Sequence, residues 1–133
     1  MKILVPTAGP MPAKENADYI VDIAKRFGAE IIALHILKEG EQAEKEEEAL
    51  STFSEAGQKG KINVTKMLRK GDIVSIIIES AKKESVDLII MGASQGKVVA
   101  EWVSTDVKGR TTIPVVVIPH AFQETRSSLG EVS

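Results

Sequence analysis

Two short loops carry the residues whose types could hold a phosphate. The first is "PTAGP", Pro6 to Pro10, which directly follows an apolar run beginning at Lys2. The second is "GASQGK", Gly92 to Lys97, which follows the apolar run "VDLIIM". Glycine lets backbone N–H groups approach an anion closely, and the start of a following helix adds a favourable dipole. Lys97 would add a positive point charge. The candidate contacts are Pro6, Thr7 and Ala8 at the first loop, and Met91 at the end of the strand run with Gly92, Ala93, Gly96 and Lys97 in the second loop. The second loop is not a Walker loop, whose pattern is G-x-x-x-x-G-K-[ST]. Here only Ala93, Ser94 and Gln95 separate Gly92 from Gly96, and Val98 follows Lys97. Two readings stay open: the glycines cradle a phosphate, or they only turn a strand into a helix.

Other residues that could do chemistry are weaker candidates. His35 stands inside the run "EIIALHIL" and reads either as a general base or as a hydrogen-bonded histidine near a strand end. His120 follows the last apolar run and reads as a surface residue. The acidic run "EGEQAEKEEEAL" places carboxylates on one helix face, but no histidine accompanies them, so it reads as a solvated face and not a metal site. No serine, aspartate and histidine set has spacing that suggests a triad. The reading therefore assigns no catalytic residue and no metal ligand. Trp102 joins Val98, Val99 and Val103 in a stripe, which predicts burial in the core or at a subunit contact.

Bulk properties narrow the function classes. The chain has 133 residues, 43% hydrophobic and 27% charged, as in an ordinary globular domain. A net charge of -2 with no basic stripe argues against nucleic acid as a partner. There are no cysteines, which excludes disulfides and thiolate chemistry. No apolar run is long enough for a membrane span, and "MKILVP" lacks signal-peptide organisation, so a cytoplasmic location is expected.

The elements that must position the loops follow from periodicity. Five apolar, β-branched runs read as strands: "KILVP", "EIIALHIL", "KINVTKML", "VDLIIMG" and "IPVVVIP". Four are nearly continuous, as in strands covered on both faces. The third alternates more, which places it nearer an edge. Ala17, Ile20, Val21, Ala24 and Phe27 recur at helical spacing before a stop at Gly28. Ala43, Leu50, Phe53 and Ala56 form a second stripe. Asp72 reads as the N-cap of a third helix with Ile73, Ile76, Ile77 and Ala81 inward. A fourth helix is expected over Lys97–Lys108. The order is β-α-β-α-β-α-β-α-β, an α/β fold with a parallel sheet. In such sheets ligands bind beyond the carboxyl ends of the strands, where both loops fall. The domain is expected over residues 1–120, with a loose polar tail over 121–133.

Several segments together resemble the universal stress protein family. "KILVPTAGP" is similar to its first strand and loop, "IIALHIL" to its second strand, and "VSTDVKGRTTIPVVVIP" to its closing helix and strand. The most specific match is "GDIVSIIIESAKKESVDLIIMGA". The resemblance implies a Rossmann-like three-layer sandwich whose five-stranded parallel sheet has the order 3-2-1-4-5. It also implies a homodimer, expected here through Ile113–Pro119. Family members that bind ATP carry an aspartate after the first strand and a G-x2-G-x9-G-[S/T] loop after the fourth. Here Thr7 stands at the aspartate position, and Glu101 and Trp102 stand where glycine and a small hydroxyl residue belong. Glu101 would repel phosphate and Trp102 would fill its space.

Two functions are expected on this basis. One is a dimeric, non-catalytic stress-response or signalling module that does not depend on ATP. The other is an adenine-nucleotide sensor with an altered phosphate loop. An enzyme using the same crevice has no activated nucleophile or paired acid and base to support it.

Overall fold

A computed structural model describes residues 1–7, 10–37, 40, 43–92, 107 and 109–118 of the chain. The elements are β1 (Lys2–Thr7), α1 (Pro10–Phe27), β2 (Glu30–Leu37), α2 (Ala43–Gly60), β3 (Val64–Lys70), α3 (Ile73–Lys83), β4 (Leu88–Gly92) and β5 (Val115–Ile118). All neighbouring strands pair in parallel, in the order β3-β2-β1-β4-β5. The α/β architecture and strand order expected from the sequence are therefore observed, with "KINVTKML" contributing an edge strand. Among the described residues no helix is long and apolar enough to cross a membrane.

The sheet separates two cores. On one face Ile3, Val5, Ile31 and Ala33 pack with Ala17, Ile20 and Ala24 of α1 and with Leu50 and Phe53 of α2. On the other face Leu4, Ile32, Leu34 and Ile89 pack with Val74, Ile77 and Ala81 of α3. Each fully buried aliphatic or aromatic side chain stabilises the fold by about 1.5–3 kcal/mol. Val107 is helical and fully buried on the α3 side. Most of the expected fourth helix, with Trp102, lies outside the described residues, as do His120 and the 121–133 tail.

Local chemistry sets the helix ends. Gly28 takes a left-handed φ of 63°, which glycine adopts without steric cost. The next N–H, of Ala29, returns to Ala24 O at 2.8 Å and closes α1. Asp72 caps α3, its Oδ2 accepting from Ser75 N at 3.0 Å. That backbone hydrogen bond holds the Asp72 carboxyl below its ordinary 3.8.

Three sequence expectations shift. Phe27 is 61% exposed, because it sits in the last turn of α1 where the chain leaves the sheet. In α3, Val74 and Ile78 are buried while Ile73 and Ile76 are half-buried. Three consecutive isoleucines make overlapping stripes there, and packing selects the phase. β3 begins at Val64 and not at Lys61, because α2 runs on through Gly60 and Lys61 takes a φ of 59° in the turn.

Candidate functional site at the carboxyl ends of the strands

The strand order reverses between β1 and β4, so a crevice is expected at their carboxyl ends. The two seams of β1 differ. With β2, six residue pairs are in register, from Lys2↔Glu30 to Thr7↔His35. With β4, only Ile3↔Leu88 and Leu4↔Ile89 are in register. The cause is Pro6. Glu30 N donates to Met1 O, and backbone groups alternate sides along a strand. Odd-numbered residues of β1 therefore turn their N–H and C=O to β2, and even-numbered ones turn to β4. The next ladder bond to β4 would need an N–H at position 6, and proline has none. The β1–β4 ladder is interrupted at Pro6.

The amino end of the same seam is stapled shut. Asp87 N donates to Lys2 O at 2.8 Å, and Lys2 N donates to Asp87 Oδ2 at 2.9 Å. The interruption of the ladder thus lies toward the carboxyl end. Carrying the Leu4↔Ile89 register forward by three residues sets Thr7 level with Gly92. Both positions fall on the α1 side of the sheet, as Ile3, Val5 and Ile90 do. Pro6 and Met91 fall on the α3 side, and Met91 is buried there.

One polar pair is built into this end. His35 is 3% exposed, and its Nδ1 lies 3.1 Å from Thr7 O and 3.2 Å from Thr7 Oγ1. The sequence placed a hydrogen-bonded histidine near the end of β2, but it could not name the partner. The β1–β2 register that joins Thr7 to His35 is a tertiary fact. Asn16, 3% exposed on the inward face of α1 one turn before Ile20, is a second buried polar residue that the periodicity passed over.

The register, carried forward, thus sets Pro6 and Thr7 level with Met91 and Gly92 across the interrupted ladder. Ala8, Ala93, Gly96 and Lys97 lie outside the described residues. Among the described residues no group of three histidine, aspartate or glutamate side chains could hold a metal. Among the described residues, two surface concavities lie elsewhere. One, of about 510 Å³, lies at the amino ends beside Met1, Gly28 and Asn63. The other, of about 660 Å³, lies beside Lys82 and Arg110. Neither coincides with the open seam. We place the candidate site at this end of β1 because the interrupted ladder to β4 and the buried polar pair with β2 both border Thr7.

A doubly wound parallel sheet places its crevice where the strand order reverses. A sequence profile of the Universal stress protein family matches residues 1–119, and the chain belongs to that family. A universal stress protein of Methanocaldococcus jannaschii is 32% identical over 109 residues, covering 70% of this chain and 64% of that protein. The chain thus spans less than two thirds of that relative's length. The fold is shared with a universal stress protein family member from Burkholderia pseudomallei, at a TM-score of 0.72 and 17% identity, covering 89% of this chain and 95% of that one. It is shared with a universal stress protein solved in complex with cAMP, at a TM-score of 0.68 and 20% identity, covering 90% and 97%. It is also shared with the universal stress protein of Archaeoglobus fulgidus in complex with dAMP, at a TM-score of 0.66 and 21% identity, covering 89% and 97%.

Proposed function

We propose that this chain is a dimeric, non-catalytic stress-response or signalling module whose switch-point crevice binds an adenine mononucleotide and discriminates against magnesium–ATP. The observation that carries the reading is the β1–β4 ladder interrupted at Pro6 at the point where the strand order reverses, with Thr7 level with Gly92 by register. The complexes of like-folded proteins with cAMP and dAMP supply the ligand class. The sequence supplies the discrimination: three residues between Gly92 and Gly96, and Glu101 and Trp102 beyond them, disfavour a long polyphosphate. The same sequence offers no nucleophile paired with a base, which supports a binding role over catalysis.

A melting series at about millimolar AMP, adenosine, ADP and ATP, with and without magnesium, tests this. A ligand at a hundred times its dissociation constant adds about 2.7 kcal/mol to native-state stability. AMP is expected to give the largest upward shift. A larger shift with ATP that magnesium enlarges further would contradict the reading.

The dimer is proposed through β5. Ile89 N donates to Pro114 O, so residues 114, 116 and 118 turn to β4, and Val115 and Val117 turn their N–H and C=O outward. The Ile113 N–H is taken by Thr111 Oγ1 at 3.2 Å. An antiparallel copy about a two-fold at Val116 would pair Val115 with the partner's Val117 and the reverse, satisfying both residues. The opposite edge is blunted: Lys66 and Lys70 are exposed, and Arg69 Nη1 caps Leu68 O at 2.9 Å. Light scattering is expected to show a dimer that Val116→Asp converts to monomer, since like charges would then face each other. A wild-type monomer at roughly tens of micromolar, where even weak dimers form, would contradict it.

A further inference from the structure

We propose that the Thr7 hydroxyl is the hydrogen-bond donor of the crevice, and that buried His35 is the positioning residue that fixes this polarity. The proposal rests on the mononucleotide reading above and specifies which ligand atoms that site recognises.

Nδ1 of His35 faces two oxygens of Thr7. It lies 3.1 Å from the Thr7 carbonyl oxygen, and a carbonyl oxygen can only accept. The ring hydrogen is therefore on Nδ1. The hydroxyl oxygen of Thr7 lies 3.2 Å from the same nitrogen. With its hydrogen already on Nδ1, the ring meets Oγ1 as a donor, and Oγ1 turns a lone pair toward it. The hydroxyl hydrogen is then directed away from His35. Among the described residues, Oγ1 has no other hydrogen-bond partner. Thr7 is half-buried at the last position of β1, and by register it faces glycine across the open seam.

His35 makes this polarity durable. The ring is 3% exposed, so bulk water does not compete for Nδ1. It is clamped by two atoms of one residue across a registered strand pair. A free threonine hydroxyl could donate or accept as the ligand required. Here one of the two lone pairs is engaged by the ring, and the hydroxyl hydrogen is turned away from His35. That hydrogen is available to an acceptor of the ligand, such as a phosphate oxygen or a ring nitrogen or carbonyl of the base.

The test is calorimetric titration of AMP, adenosine and inorganic phosphate into the wild type, Thr7→Val and Thr7→Ser. Valine keeps the shape and removes the hydroxyl. Thr7→Val is expected to bind AMP about tenfold more weakly, the loss of one good hydrogen bond, and Thr7→Ser is expected to recover most of that loss. If the phosphate supplies the acceptor, adenosine affinity is unchanged by Thr7→Val while AMP and phosphate weaken. If the base or ribose supplies it, adenosine weakens equally. Equal AMP and adenosine affinities in Thr7→Val and the wild type overturn the proposal and leave the mononucleotide reading standing. A wild type that binds no AMP overturns both. A ligand-free measurement checks the polarity itself: nitrogen-15 spectra of the His35 ring at mildly alkaline pH are expected to place hydrogen on Nδ1. A ring protonated on Nε2 alone overturns the proposal even if nucleotide binds.

Discussion

The central strand β1 meets its two neighbours on different terms. Against β2 it stays zipped for its whole length and ends in the Thr7–His35 pair. Against β4 it is stapled at Lys2 and Asp87, paired through Leu4, and then loses a rung at Pro6. The two seams share one strand and similar apolar side chains, so hydrophobicity does not distinguish them. The difference comes from a single missing donor. Pro6 points its nitrogen at β4, and the ladder cannot continue where no N–H exists. A site in this fold is thus made by subtraction: the strands stay parallel and buried while one rung is withheld at the reversal of strand order.

The comparison can be broken from either side. Removing the polar end of the closed seam should have the larger effect. His35→Ala deletes a buried ring and its hydrogen bonds to Thr7, and is expected to cost about 2–4 kcal/mol in chemical denaturation. A near-neutral result would mean that the ring does not clamp β1 to β2. Restoring the missing rung of the open seam should change stability less. Pro6→Ala supplies an N–H that can reach the Ile90 carbonyl, and the change in stability is expected to stay within about 1 kcal/mol. The sharper readout is hydrogen exchange. The new amide at position 6 should be protected, and AMP affinity should fall as the crevice narrows. Rapid exchange at that amide would show that something other than Pro6 holds the seam open.

Much of this was legible in the sequence, for identifiable reasons. The continuous apolar runs marked strands covered on both faces, and the structure covers them with α1 and α2 on one side and α3 on the other. Gly28 and Asp72 marked helix ends, because left-handed backbone and N-capping each require particular residue types. Gly57 lies inside α2. A Cβ built at position 57 would lie 2.4 Å from Val64 Cγ2, so glycine there serves close packing on β3. Pro6 and Thr7 were picked out as candidate contacts from the loop chemistry alone. What Pro6 does could not be read, because the side to which its nitrogen points depends on the register with β2. The Thr7–His35 pair was hidden for the same reason: the two residues are 28 positions apart and meet only across that register.

The most direct test of the crevice is an amide nitrogen–proton titration of the labelled protein with AMP. The account predicts that the largest shifts fall at Thr7, Met91 and Gly92, with neighbouring changes at His35. It predicts little movement at the opposite end of the sheet, around Gly28 and Asn63. Shifts concentrated at those amino-end residues, or no saturable shifts at all, would contradict the placement of the site.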